Sequence, residues 1–154
     1  MSAEYKYAKY KAKYNTIKHN LQRGGEGETG RHEEIMKRFF EHLIMIKMLH
    51  FQSERYGVHK ALDTYYDTFN LNMDKFMEVL QGERGRIEVN GTTFSTEIEL
   101  ANDSNIAVKL DAFKRDVLIG MFEGNNYGTN SALVTIRDDM SADLDQLKYL
   151  LSFQ

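Results

Sequence analysis

Cysteine, proline and tryptophan are all absent from this chain of 154 residues. Without cysteine it forms no disulfide and offers no thiolate, which excludes thiolate metal sites. Without proline, nothing forces a break inside a long helix. No run of eighteen apolar residues occurs, so no segment reads as a membrane-spanning helix. A GxxxxGK(S/T) phosphate loop is missing, as is an ExxH pair on each half of the chain, which argues against P-loop chemistry and a di-iron site within one subunit. The N-terminus is rich in Tyr and Lys and lacks the apolar stretch of a signal peptide, so an intracellular setting is expected.

What the chain does contain is 42% apolar residues, eight of them methionines suited to irregular packing between helices, in a length that fits one core. Its charge is unevenly placed. Residues 1–31 hold seven Lys/Arg and three Glu, a balance of +4 against −3 for the whole chain, which leaves −7 for the remainder. A basic arm on an acidic body suits contact with nucleic acid, with an acidic partner or with the protein's own surface.

The pattern divides the chain into three segments. Residues 1–23 form a basic arm in which Ala3, Tyr7, Tyr10, Tyr14, Ile17 and Leu21 recur at spacings of four and three, the stripe of an amphipathic helix. Residues 24–31 are a Gly-rich linker containing GGEGETG. Residues 32–154 carry four helical stretches: His32 to Arg55, a second running from a turn at Tyr56–Gly57 to Gln81 and stopping at Gly82, then 104–122 and 131–152. The third is predicted to turn Ile106, Leu110, Phe113, Val117 and Met121 inward, and the fourth Met140, Leu144, Leu147 and Leu151. Between the second and third, RIEVNGTTFSTEIEL alternates around Asn90–Gly91, the signal of a small β-hairpin. The expected fold is therefore all-α, a four-helix bundle whose long crossover carries a hairpin, with an N-terminal amphipathic helix. A crossover of that length belongs to ferritin-like bundles, which must reverse their second helical pair.

His50, His59, Asp63, Asp74 and Glu78 are the candidate metal ligands, because imidazole and carboxylate are the usual donors for iron or zinc. Asp74 and Glu78, four apart, share one helical face. His59 and Asp74 are separated by roughly 22 Å of helix axis, far beyond the span of about 2 Å metal bonds. One copy of the helix cannot close a site from both, whereas two copies antiparallel about a two-fold axis can. The expected centre is thus a property of a dimer. Asp63 is expected to support His59 by a hydrogen bond. His42 and Glu54 are weaker candidates, expected at the surface, and Tyr65, Tyr66 and Phe69 are expected to pack rather than to relay electrons.

These residues also carry a resemblance. HF at 50–51, GVHKALD at 57–63 and DKFME at 74–78 resemble the HW…LHxxFD…DxxAE pattern of Dps-type mini-ferritins, with Phe51 standing where that family carries Trp. The resemblance implies an inter-subunit ferroxidase centre, with His50, His59 and Asp63 from one chain and Asp74 and Glu78 from the next. A fuller match is to Dps-like proteins of large DNA viruses and phages, with their H(W/F)QTxxYxxHKAL…DxFxExxxG core. The opening YKYAKYKAKYNTIKHNLQRGG resembles a segment common at the ends of large-DNA-virus proteins. Taken together, these resemblances imply an iron-binding protein that oxidises Fe(II) with peroxide or oxygen, with Zn or Mn able to stand in place of Fe. It would assemble as a two-fold dimer or a larger cage, in a virion or infected-cell cytoplasm. The alternative is a non-catalytic ferritin-like protein that contacts virion components or DNA through its basic arm.

Overall fold

A computed structural model of the chain describes residues 31–87, 97–123 and 126–153. The N-terminal arm, all of the linker but Arg31, and the turn at Asn90–Gly91 lie outside them. The described residues are helical and contain no strand. No helix among them is long and apolar enough to cross a membrane.

Helix α1 spans 31–52 and α2 spans Tyr56–Arg84. The break falls at 53–55, so Tyr56 and Gly57 open α2 instead of forming the turn. At its other end α2 runs through Gly82 and stops at Gly85, whose φ of 93° only glycine adopts without strain. Gly82 lacks that geometry, and the apolar positions Phe76 and Leu80 still face the core beneath it, so the helix continues to Arg84.

Helix α3 (Ile106–Phe113) passes without interruption into a π-helical segment, Lys114–Ile119, and then into α4 (Gly120–Glu123). After a short 3₁₀ turn at Asn126–Thr129 comes α5 (Ser131–Leu151). The π segment corrects the expected core stripe. Ile106, Leu110, Phe113 and Val117 are buried as expected, but a π turn inserts one residue into the helical period, so Leu118 joins them and Phe122 takes the inward place expected for Met121, which is only partly covered.

Cross-helix contacts fix the directions. His50 stacks on His59 near one end of α1 and α2, while Phe39 packs edge-on to Phe69 and Phe76 further down, so the two helices are antiparallel. Asn72 bonds Asp143 at 3.1 Å and Glu83 bonds Asn130 at 2.6 Å, which sets α5 antiparallel to α2. Lys114 with Asp145 and Lys148 with Asp111 do the same for α5 and the third helix. His42 stacks on Phe113 across α1 and α3. It follows that α2 and α3 run in the same direction. The stretch just before α3 is tied beside the start of α2 by Arg55 and Asp103 at 2.8 Å.

The core is dominated by aromatic rings. Phe39 is wholly buried and lies within 6.4 Å of the rings of Phe69, Phe76 and Phe113. Such edge-to-face clusters contribute roughly 0.5–1.5 kcal/mol per pair beyond the area they bury. Tyr65 and Phe69 belong to this core, as expected, and Tyr66 packs against it.

Candidate metal centre at the corner of α1 and α2

The α1–α2 corner brings two of the expected ligands together. His50 sits in the last turn of α1 and His59 in the first turn of α2, and the three-residue break between the helices folds one back on the other. Their rings stack with centroids 3.8 Å apart and planes inclined by 29°. Nδ1 of His50 lies 3.1 Å from the carbonyl oxygen of His59, and Nδ1 of His59 lies 3.1 Å from the carbonyl oxygen of His50. A carbonyl oxygen can only accept, so each Nδ1 must carry the proton and donate it. In the neutral ring that choice leaves Nε2 with its lone pair, the form in which imidazole binds a metal.

Asp63, one turn beyond His59, lies at the edge of the pair. Its Oδ1 is 3.8 Å from His50 Nε2, while Lys47 and Lys60 each approach the carboxylate at 3.5 Å. Partial desolvation would raise the Asp63 pKa, but the combined pull of His50, Lys47 and Lys60 outweighs it and holds the carboxyl below its ordinary range. Asp63 is thus an ionised group held between Lys47 and Lys60, with His50 at its edge. It contacts His50 through Nε2, rather than His59, the partner expected for it.

Asp74 and Glu78 stay apart from the pair. Both are exposed on α2, roughly 22 and 28 Å along the axis from His59. Among the described residues, no three His, Asp or Glu side chains are arranged to hold a metal ion within one chain.

His42 corrects its expected surface position. It is buried in the middle of the bundle, stacked on Phe113 at 3.7 Å with the planes 11° apart, and hydrogen bonded through Nε2 to the Tyr65 hydroxyl at 2.8 Å. Burial lowers its pKa to about 3, so the ring is neutral, and burial likewise pushes the Tyr65 hydroxyl well above its ordinary value. The signal was available in the sequence: His42 falls three residues after Phe39 and four before Ile46, on the apolar stripe of α1. Glu54 is exposed, as expected.

Nearby, Asp143 of α5 accepts from Asn72 Nδ2 at 3.1 Å. Desolvation raises its pKa and Asp139 adds to the effect, while hydrogen bonds from Thr68 and Asn72 partly oppose it. Neither Asp143 nor Asn72 was singled out from the sequence, since a lone Asp and Asn on separate helices give no local signal.

An all-α protein with a paired-histidine corner is therefore the class that fold and geometry define. The chain belongs to a family of unknown function (DUF5856), which matches residues 50–151, from His50 almost to the end of α5. No curated protein and no solved structure matches the chain.

Proposed function

We propose that the protein binds Fe(II) at the His50–His59 corner and oxidises it with peroxide or dioxygen, as a Dps-like protein whose remaining ligands come from a second copy of the chain. The observation that carries this reading is the reciprocal Nδ1-to-carbonyl pairing, which orients both imidazoles and keeps both Nε2 atoms as donors in the neutral rings. The direction of the helices also supports it, because a down-down second and third helix joined by a long crossover is the connectivity of ferritin-like bundles. Asp74 and Glu78, exposed on α2, are available to a neighbouring chain. In this role each Fe(II) gives up one electron to the oxidant, His50 and His59 hold the ion, and Asp63 positions His50 while balancing charge. Zn or Mn would suit the same donors.

Mixed assemblies test the shared site. Separately, His59→Ala and Asp74→Ala are expected to abolish ferric absorbance on aerobic addition of Fe(II). Mixed and reassembled, they place both defects in one site of the dimer and leave the other intact, so about half the activity per mixed dimer should return. Absence of any recovery would sink inter-chain ligation.

A second reading is favoured by the neutralisation of Asp63 by Lys47 and Lys60. In it the histidines serve only to clasp the corner, and the bundle is a non-catalytic module that meets virion components or DNA through its basic arm. Steep loss of DNA affinity with salt, from counterion release, would mark that role.

A further inference from the structure

Between α2 and α5 lies a cavity of about 540 Å³ that the proposed iron chemistry does not use. That volume falls among those of small-molecule sites, roughly 300–1,000 Å³. Its depth comes from α2, where Gly57, Ala61, Thr64 and Thr68 place small residues along about 16 Å of helix axis. Val58, Leu147, Leu150 and Phe153 supply apolar walls, and Leu150 and Phe153 remain 42% and 68% exposed.

The charged groups of the lining are of two kinds. Arg55 and Lys60 already have counter-ions, Asp103 at 2.8 Å and Asp63 at 3.5 Å. Asp143 has none: it is met by Asn72 and Thr68, both neutral donors. A smaller depression of about 310 Å³ adjoins the cavity at Thr68 and Asp143 and adds Asp139 to its lining. Two carboxylates therefore stand near each other, and among the described residues no lysine or arginine, Lys75 of the next α2 turn included, pairs with either. Burial, and after it Asp139, raises the Asp143 carboxyl above its ordinary range, as befits an acid without a counter-ion.

We infer that this cavity takes a small amphiphilic amine, with its ammonium on Asp143 and its alkyl or aryl body laid over Ala61, Leu147 and Leu150 toward Phe153. An ammonium carries three N–H donors and accepts no hydrogen bond. Apart from Arg55 and Lys60, the polar side chains of the lining are Thr64, Tyr65, Thr68, Asp143 and Gln146, and each has an oxygen that accepts. A carboxylate ligand would instead meet Asp143 and Asp139 at one end and, at the other, cations that Asp103 and Asp63 already balance. An unopposed acid beside apolar walls thus selects a cation over an anion, and one with an apolar body.

Three probes that share a body and differ in the head group test this: phenylbutylamine, phenylbutanol and phenylbutyrate, each titrated into the full chain with backbone amide chemical shifts as the readout. The amine is expected to bind at least tenfold tighter than the alcohol and the carboxylate weakest, with shifts centred on Thr64, Thr68 and Gln146. Asp143→Asn removes the charge but keeps an acceptor for Asn72, so the amine should fall to within twofold of the alcohol while the alcohol binds as before. Asp67→Asn removes an equal charge from the exposed surface of α2 and should change neither. Thr64→Trp, at an exposed position, fills the cavity and should weaken amine and alcohol alike by at least tenfold. The inference is overturned by no binding of the amine, by an amine no tighter than the alcohol, or by a carboxylate tighter than either. An equal loss in Asp67→Asn, or shifts centred on the seam of α1 and α3 around Glu41 and Asp116, would overturn it as well.

Discussion

His50 and His59 each donate from Nδ1 to the other's backbone carbonyl at 3.1 Å, so the two side chains close the α1–α2 corner as a matched pair. This relationship is local in sequence, yet it joins the end of one helix to the start of the next. It also ties the stability of the corner to the orientation of the candidate ligands.

Asparagine separates these two roles. Its side-chain N–H can stand in for Nδ1 and still reach the carbonyl, but it offers nothing in place of Nε2. His59→Asn is expected to keep the unfolding midpoint within about 3 °C of the parent while losing a titratable Co(II) or Fe(II) site. His50→Ala should lose both, since it removes a buried ring together with its hydrogen bond across the corner, the latter alone contributing about 0.5–1.5 kcal/mol. Calorimetry and metal titration of the two variants check this, and undiminished metal binding by His59→Asn would count against the proposed site.

The buried His42 gives stability a defined pH dependence. Its pKa is about 3 in the fold against an ordinary 6.5, so above pH 6.5 the ring is neutral in both folded and unfolded chains and contributes no slope. As pH falls from 6.5 toward 3 the unfolded chain takes up a proton that the fold refuses, and stability drains at up to about 1.4 kcal/mol per unit. Replacing both partners, His42→Phe with Tyr65→Phe, should remove one proton from that slope. The single His42→Phe should instead cost about 1–3 kcal/mol throughout by stranding the Tyr65 hydroxyl. Urea unfolding at pH 7, 5 and 4 distinguishes the two.

The π segment predicts an unusual tolerance to deletion. Removing exposed Arg115 would return Lys114–Ile119 to the α period, with Leu118 four positions after Phe113 and Phe122 four further on, both still facing the core. Its pairing with Asp116 is solvent-exposed and contributes little. Deletion of Arg115 is therefore expected to leave a folded bundle. Deletion of exposed Thr64 from the regular helix α2 would turn the remainder of that helix by about 100° and unfold it. Circular dichroism of the two deletions checks the contrast.

Asn130 is expected to matter more than its exposed setting suggests. Its side-chain oxygen accepts from the backbone N–H groups of Ala132 and Leu133, and its Nδ2 donates to Glu83 at 2.6 Å, capping α5 while tying it to the end of α2. Asn130→Ala should cost roughly 1 kcal/mol or somewhat more, with Asn130→Ser recovering most of the capping share. Thermal melts of both variants measure this.

The all-α character was legible in the sequence, because the helices are long and their apolar residues recur with a clear period. The ends were less so. Gly82 and Gly85 look alike on paper, and only the backbone conformation at Gly85 makes it the stop. The shift from Met121 to Phe122 was hidden because both are apolar, and only packing decides which faces inward. At the candidate centre, the spacing of the two histidines was visible, but their mutual hydrogen bonds depend on how tightly the corner closes.

By itself the sequence determined the chemistry on offer: no thiolates, imidazoles and carboxylates at helical intervals, a basic N-terminal stretch and no proline to break a helix. Tertiary structure alone decided which groups meet. His42 became core, Asp63 fell between two lysines, and His50 closed on His59 while Asp74 and Glu78 stayed a long way down the same helix. The physical reason is that helical periodicity fixes the face a residue shares but not what lies across from it, and only the packing of one helix on another supplies that second coordinate.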